Sequence, residues 1–159
     1  MNSQRTIFFL SFILLFFVVK GICFANDICG YNEMGTVEIV RDIEIIGKYH
    51  VTLAETAQSR QRGLMYCPEL SKGTGMLFLF PNVKRWTFWM KNTYIELAII
   101  FITKDGKIAA IERGEPESLA RIQSPDNIQS VLEINYNESR DLKVGDQVNL
   151  RLNSDSGNN

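Results

Sequence analysis

Short apolar stretches, separated by turn-forming residues, make up most of the chain after about residue 35. Residues 36–40 and 49–54 alternate between apolar and polar side chains, which predicts strands with one buried face. Met76–Phe80 is instead continuously apolar and stops at Pro81-Asn82, which indicates a buried strand. The pattern therefore favours β-structure over long helices.

The second half of the chain repeats this pattern. Leu97–Ile102 is continuously apolar, and the turn sequence Asp105-Gly106 joins it to Ile108–Ile111, which predicts a hairpin. Two further strands are expected at residues 131–134 and 147–152. About eight short strands predict a mainly β fold, either a compact antiparallel, jelly-roll-like β-sandwich or a barrel.

Helical signals are few. Residues 56–65 have helix-compatible composition, and Thr56 is a suitable N-cap. A short helical turn is expected at residues 139–142. With one or two short helices and no long ones, a doubly wound α/β fold is not expected.

The amino terminus has the pattern of a signal peptide. Arg5 precedes an apolar run, Ile7–Val19, and small Ala25 marks a cleavage site. A membrane anchor is the alternative, although the run is shorter than the roughly 20 residues that span a bilayer. We therefore expect an exported protein, periplasmic or extracellular, with no stable membrane span after cleavage. The expected organisation is a cleaved signal peptide (1–25), an N-terminal extension (26–35), a single β-rich domain (36–152) and a disordered tail (153–159).

Charge and motifs exclude several classes of function. The formal net charge is −1 and no basic stripe is present, which argues against nucleic-acid binding. No phosphate-binding glycine loop, nucleophile elbow or zinc-ligand spacing occurs, so we expect neither a cofactor nor a metal site.

Two cysteines remain after the leader, Cys29 and Cys67. In an exported chain such a pair can form a disulfide, but two free thiols are also compatible with the sequence. A nucleophilic Cys67 is a further alternative. Its imidazole partner would be His50, because the chain has no other histidine.

The densest chemistry lies in Phe88-Trp89-Met90-Lys91-Asn92-Thr93. If this segment is extended, alternate side chains point to opposite faces. The aromatic and thioether side chains fit a role in the core. Lys91 and Asn92 do not, because a buried charge or amide needs a partner.

Oppositely charged partners for Lys91 are available in Glu115 and Glu133, and Arg62 can contribute to the same pocket. Trp89, Lys91, Asn92, Glu115, Glu133 and Arg62 are therefore the candidate ligand-binding residues.

Six short motifs resemble a known family in their order along the chain. They are Gly63-Leu64-Met65, Gly75-Met76-Leu77-Phe78, Phe88–Thr93, Glu115-Pro116, Val131-Leu132-Glu133 and Gly145-Asp146. The chain resembles the prokaryotic family named domain of unknown function 192 from about residue 36 to residue 152. The resemblance implies one compact, jelly-roll-like β-domain, often exported. It supplies no catalytic residues, because none is assigned in the family.

Three positions depart from the family pattern, which has Arg at Cys67, Pro at Glu96 and Asp at Ala98. If a carboxylate at position 98 normally faces Lys91 or a ligand, Ala98 weakens the case for an enzyme here. The gain of Cys67 fits a bridge to Cys29.

Three hypotheses about function follow. The first is an exported binding protein for a small polar or anionic ligand, or for an envelope protein. The second is a non-covalent acid–base enzyme that uses Glu115 or Glu133 with Lys91. The third is a structural envelope protein without a pocket, in which the segment from Phe88 to Thr93 is entirely core.

Overall fold

The computed structural model describes residues 27–153; the predicted signal peptide and residues 154–159 of the predicted tail lie outside this range. The elements are β1 (Asp27–Ile28), β2 (Tyr31–Asn32), β3 (Gly35–Arg41), β4 (Glu44–Ala54), α1 (Ala57–Arg62), β5 (Thr74–Lys84), β6 (Thr87–Phe88), β7 (Leu97–Ile102), β8 (Ile108–Gly114), β9 (Ile122–Gln123), β10 (Ile128–Asn135), a 3₁₀ helix (Tyr136–Ser139) and β11 (Gln147–Leu152). The mainly β class is confirmed.

Seven strands form one mixed sheet in the order β11-β3-β4-β5-β10-β7-β8, and two small sheets pair β1 with β2 and β6 with β9. All neighbours in the large sheet are antiparallel except β4 and β5, which run parallel. The expectation of a purely antiparallel sheet is corrected here. The chain crosses from β4 to β5 through α1, and parallel neighbours need such a long crossover.

The two edges of the large sheet meet over one short stretch. Lys107, just before β8, forms an isolated bridge with Gln147 at the start of β11. The amide of Ile108 also donates to the carbonyl of Asp146, at 3.0 Å. The sheet must therefore curl strongly, but one bridge is not a ladder and the barrel does not close.

Curling gives the sheet a concave and a convex face, each with its own hydrophobic cluster. The inner cluster receives side chains from all seven strands, including Val37, Val51, Leu77, Ile100, Ile108, Leu132 and Val148. The outer cluster lies on the convex face and includes Ala54, Met76, Phe78, Leu97, Ile99, Phe101 and Val131. Residues outside the large sheet cover this face, namely Ile28, Leu64, Cys67, Leu70 and Met90.

Burial on both faces explains the continuous apolar runs. In β7, Ile99 and Phe101 belong to the outer cluster, whereas Ala98 and Ile100 belong to the inner one, and all four are 0% exposed. The predicted hairpin of β7 and β8 is confirmed. β5 continues beyond Pro81, where it was predicted to stop. The pairing between β5 and β10 shifts there by a bulge, which removes the need for an amide donor at the proline.

Helix α1 begins as predicted and ends earlier. Thr56 is the N-cap and forms a capping box with Ser59. The helix ends at Arg62, and Gly63 follows with φ of 49°. None of its six residues is buried. The helical turn expected at residues 139–142 occurs three residues earlier, as the 3₁₀ helix at Tyr136–Ser139.

The motif Gly145-Asp146 has a structural role at the entrance to β11. Arg41 donates to both carboxylate oxygens of Asp146 at 2.8 Å, and the Lys143 amide donates to Oδ2 at 2.7 Å. These hydrogen bonds, that of Arg41 above all, hold the pKa of Asp146 below its usual range. They fasten the turn before β11 to the neighbouring strand β3.

Cys29 and Cys67 form a disulfide, with their Cα atoms 5.2 Å apart. It joins the β1–β2 hairpin to the segment that follows α1, so it fixes part of the cover on the convex face. Cys67 has no free thiol in this arrangement, and His50 instead contacts Glu33, with Nδ1 2.9 Å from Oε1. The structure therefore does not support a Cys67–His50 catalytic pair.

We predict that the double variant Cys29→Ser/Cys67→Ser loses about 3–4 kcal/mol of unfolding free energy, because the bridge limits the freedom of the unfolded chain. Urea denaturation of both proteins, with and without reductant, measures this loss. Reductant should destabilise the wild type and leave the variant unchanged. Equal stability of the wild type and the variant in the absence of reductant would contradict the prediction.

Candidate functional site

The segment from Phe88 to Thr93 is extended only at its start. Thr87 and Phe88 pair with β9, and the chain then turns, with Asn92 at φ 56° and the Thr93 amide donating to the Met90 carbonyl at 3.0 Å. The predicted alternation of faces is therefore wrong beyond Phe88. A turn with a left-handed residue replaces the strand, and asparagine is among the residues that tolerate that conformation.

Asn92 connects this turn to the segment after α1 in two ways. Its carbonyl accepts from the amide of Tyr66 at 2.8 Å, and its Nδ2 donates to the Tyr66 hydroxyl at 2.7 Å. Tyr66 also has positive φ, at 62°. The reciprocal contacts hold the two left-handed residues, and with them the two segments, beside each other.

Met90 anchors the turn to the sheet. It is 1% exposed, and it lies against Gly114, the last residue of β8. A β-carbon at Gly114 would lie 2.6 Å from the Met90 sulfur, so glycine leaves the space that Met90 fills. Trp89, the neighbouring residue, is 50% exposed. The segment is thus core at Met90 and surface at Trp89.

A groove runs between α1 and this turn. It consists of three adjoining cavities that share Gln61 and Trp89, and we call it the α1 groove. An aromatic lobe of about 360 Å³ is lined by Ala57, Arg60, Gln61, Phe78, Phe80, Trp86, Thr87, Phe88 and Trp89. A polar lobe of about 350 Å³ is lined by Gln58, Gln61, Arg62, Met65, Tyr66, Trp89, Lys91 and Asn92. Between them lies a throat of about 40 Å³, large enough for a water molecule or one functional group of a ligand.

Glu133 lies at the throat. It stands in the middle of β10, opposite Met76 of β5 and Ile99 of β7, and is 5% exposed. Within residues 27–153 its carboxyl group makes no hydrogen bond and no ion pair. Burial raises the pKa of Glu133 to about 8, because a buried carboxylate loses most of the water that would solvate its negative charge.

The remaining charged side chains of the groove are all cationic. Arg60 donates from Nη1 to the carbonyls of Glu55 and Leu79, at 2.6 and 2.9 Å. The guanidinium of Arg62 lies 4.9 Å from the centre of the Tyr31 ring, and the ammonium of Lys91 lies 5.3 Å from that of Trp89. Lys91 is exposed, and it contacts Trp89 in place of the ion pair with Glu115 or Glu133 that the sequence suggested.

Five of the six candidate residues line the groove: Arg62, Trp89, Lys91, Asn92 and Glu133. Glu115 does not. It is exposed, and it directly follows Gly114 at the end of β8. The structure therefore brings one of the two predicted carboxylates to the site.

Sequence reasoning missed the aromatic lobe. Phe80 and Trp86 stack with ring centres 4.0 Å apart, and Phe78 and Phe88 meet edge to face at 5.3 Å. Phe80 belonged to a predicted buried strand, so it was assigned to the core alone. The composition of α1 could have indicated the groove. A helix without an apolar face presents polar side chains to solvent and to a groove beside it.

Ala98 does not face the groove. It is 0% exposed in the inner cluster and is paired with Ile134, whereas Glu133 and Ile99 are oriented toward the convex face. A side chain at position 98 points into the curl of the sheet. The idea that a carboxylate there would face Lys91 is corrected, and Ala98 has no direct bearing on the chemistry of the groove.

The described part of the chain contains neither a cluster of metal ligands nor a helix that could span a membrane. In residues 27–153, no group of three or more His, Cys, Asp or Glu side chains could hold a metal ion. No helix in that range is long and apolar enough to cross a membrane.

These features define a small, disulfide-linked, mainly β domain with a groove between its helix and the convex face of its sheet. The chain belongs to the family named domain of unknown function 192, described as an uncharacterised ACR, whose family model matches residues 39–150. No curated protein matches the chain.

Two solved structures are similar over most of this chain. One, from Sinorhizobium meliloti and described as a candidate transcription regulator, is 33% identical with a TM-score of 0.70; the match covers 74% of this chain and 93% of that one. The other, a protein of unknown function from Novosphingobium aromaticivorans, is 30% identical with a TM-score of 0.70, covering 76% and 86%. The fold is therefore shared with these two proteins, and neither description assigns a ligand.

We predict that the raised pKa of Glu133 makes the folded protein less stable as the pH rises. The folded state keeps a proton that the unfolded state releases above pH 4.5, so unfolding free energy should fall between pH 4.5 and about 8, by at most about 1.4 kcal/mol per pH unit. Glu133→Gln should remove this dependence. Urea denaturation at several pH values tests it.

The matched control is Glu115→Gln, which alters an exposed glutamate and should keep the wild-type pH dependence. If Glu133→Gln retains the same slope as the wild type between pH 4.5 and 8, the carboxyl is ionised in the folded protein and the prediction fails.

Proposed function

We propose that this protein is an exported binding protein that takes a small ligand in the α1 groove. The observation that carries the proposal is the combination of a half-exposed Trp89 with a buried, unpartnered Glu133 in one concavity. Each of the two lobes has a volume in the range of small-molecule sites, and few convergent polar groups among apolar walls are typical of such sites.

The shape of the site favours a small ligand over a protein partner. An interface with another protein is usually a broad surface, whereas this one is divided into two lobes by a narrow throat. The structural alternative needs the segment from Phe88 to Thr93 to be entirely core, and Trp89 does not fit that role. The acid–base alternative is left with one carboxyl in the groove, and binding is therefore the function that we propose.

Export is supported by two independent features. The sequence has a basic residue, an apolar run and then a small residue at Ala25, in the order typical of a signal peptide. The disulfide between Cys29 and Cys67 is of the kind that persists in oxidising compartments. A location in the periplasm or outside the cell agrees with both.

Binding is tested by a thermal-shift screen with small carboxylates, amines, amino acids, saccharides and short peptides. A ligand at 100 times its dissociation constant should add about 2.7 kcal/mol of unfolding free energy. Trp89→Ala should abolish the shift, because it removes a wall common to both lobes.

Tyr94→Ala is the control variant, since Tyr94 is 49% exposed, close to the value for Trp89, and lines none of the three cavities. It should keep the shift. A screen in which no compound stabilises the wild type, or in which Trp89→Ala responds as the wild type does, would refute the proposal.

Export is tested by expressing residues 1–159 in a bacterium and sequencing the amino terminus of the product. We expect a mature protein that begins at Asn26 and leaves the cytoplasm. Retention of the intact leader in the cytoplasmic or membrane fraction would contradict export with cleavage.

A further inference from the structure

The arrangement of donors around Glu133 restricts the chemistry of the ligand. Arg62 and Lys91 carry only hydrogen-bond donors and positive charge. Among residues 27–153, Glu133 is the only acidic side chain that lines the α1 groove, and it lies at the throat. The side chains of the polar lobe and throat thus offer an anion more partners than they offer a cation.

The surroundings of Glu133 show which groups act on its proton. The neighbouring strands present Met76 from β5 and Ile99 from β7, neither of which titrates. The charged side chains that line the throat are Arg60 and Arg62 from α1, and Lys91 lines the adjoining lobe. Since neither arginine forms an ion pair with Glu133, its carboxyl group is held by burial in the neutral form, which can donate a hydrogen bond.

The aromatic lobe supplies the other half of the site. Phe78, Phe80, Trp86, Phe88 and Trp89 line it, and Trp86 is stacked on Phe80. The flat or apolar part of a ligand fits such walls, because the ligand and the aromatic side chains both remove apolar surface from water. The aromatic lobe and the polar lobe share Trp89 and Gln61, so one molecule can span both lobes.

We propose that the α1 groove selects an amphiphilic monoanion, whose apolar or aromatic body lies in the aromatic lobe and whose acidic group lies at the throat, within reach of Glu133 and Arg62. This rests on the proposed binding function and goes further by assigning a ligand class and a role to the Glu133 proton. An amine of the same shape is disfavoured, because it would lie beside Arg62 and Lys91.

A matched series of three probes tests the assignment: indole-3-acetate, indole-3-acetamide and tryptamine. They share the indole ring and differ in the charge of a short arm, so ring stacking is constant across the series. Dissociation constants are measured by isothermal titration calorimetry at pH 6 and pH 9, for the wild type and for Glu133→Gln.

We expect indole-3-acetate to bind at least about tenfold more tightly than tryptamine at pH 6. Its affinity for the wild type should fall about tenfold by pH 9, as Glu133 ionises and repels the carboxylate. Glu133→Gln remains neutral and keeps a donor, so its affinity should be nearly equal at the two pH values. Glu115→Gln should behave as the wild type does.

Tighter binding of tryptamine, equal binding of all three probes, or a pH dependence unchanged in Glu133→Gln would overturn the inference and leave the binding function intact. Binding of none of the three also overturns it. The binding function fails separately, only if the wider thermal-shift screen finds no ligand or finds one insensitive to Trp89→Ala.

Discussion

Burial of one sheet on both of its faces is the constraint on which this structure depends. The curl of the seven strands encloses the inner cluster, but the convex face of β5, β10 and β7 is equally apolar and must be covered. The chain builds this cover from short pieces: the β1–β2 hairpin, the segment after α1, and the turn at Asn92. The disulfide and the contacts between Tyr66 and Asn92 hold these pieces in place.

The groove is the place where this cover is incomplete. Helix α1 has no buried residue, so it lies beside the convex face without sealing it, and Trp89 remains half exposed at the gap. Glu133 stands on the strand beneath. A carboxyl at this position is costly in its charged form, and its presence at an otherwise apolar face supports the binding site that we propose.

Much of the fold was predictable because it depends on local patterns. Alternation and apolar runs located the strands, Thr56 located the helix, and Asp105-Gly106 located the hairpin. The site was predictable only in part. Lys91 and Asn92 were singled out by their chemistry, but the turn at Asn92 that places them depends on Tyr66, which is distant in sequence. Glu133 and Glu115 look alike in sequence; pairing between β5, β10 and β7 buries one and leaves the other exposed.

The ionisation state of Glu133 decides whether the groove presents a neutral donor or a negative charge. It can be observed directly by ¹³C NMR of the side-chain carboxyl, assigned by comparison with Glu133→Gln and titrated from pH 4 to pH 10 in the free protein. We expect a midpoint near pH 8. A midpoint near 4.5, the ordinary value for glutamate, would show a charged carboxylate at neutral pH and contradict the neutral donor that we propose.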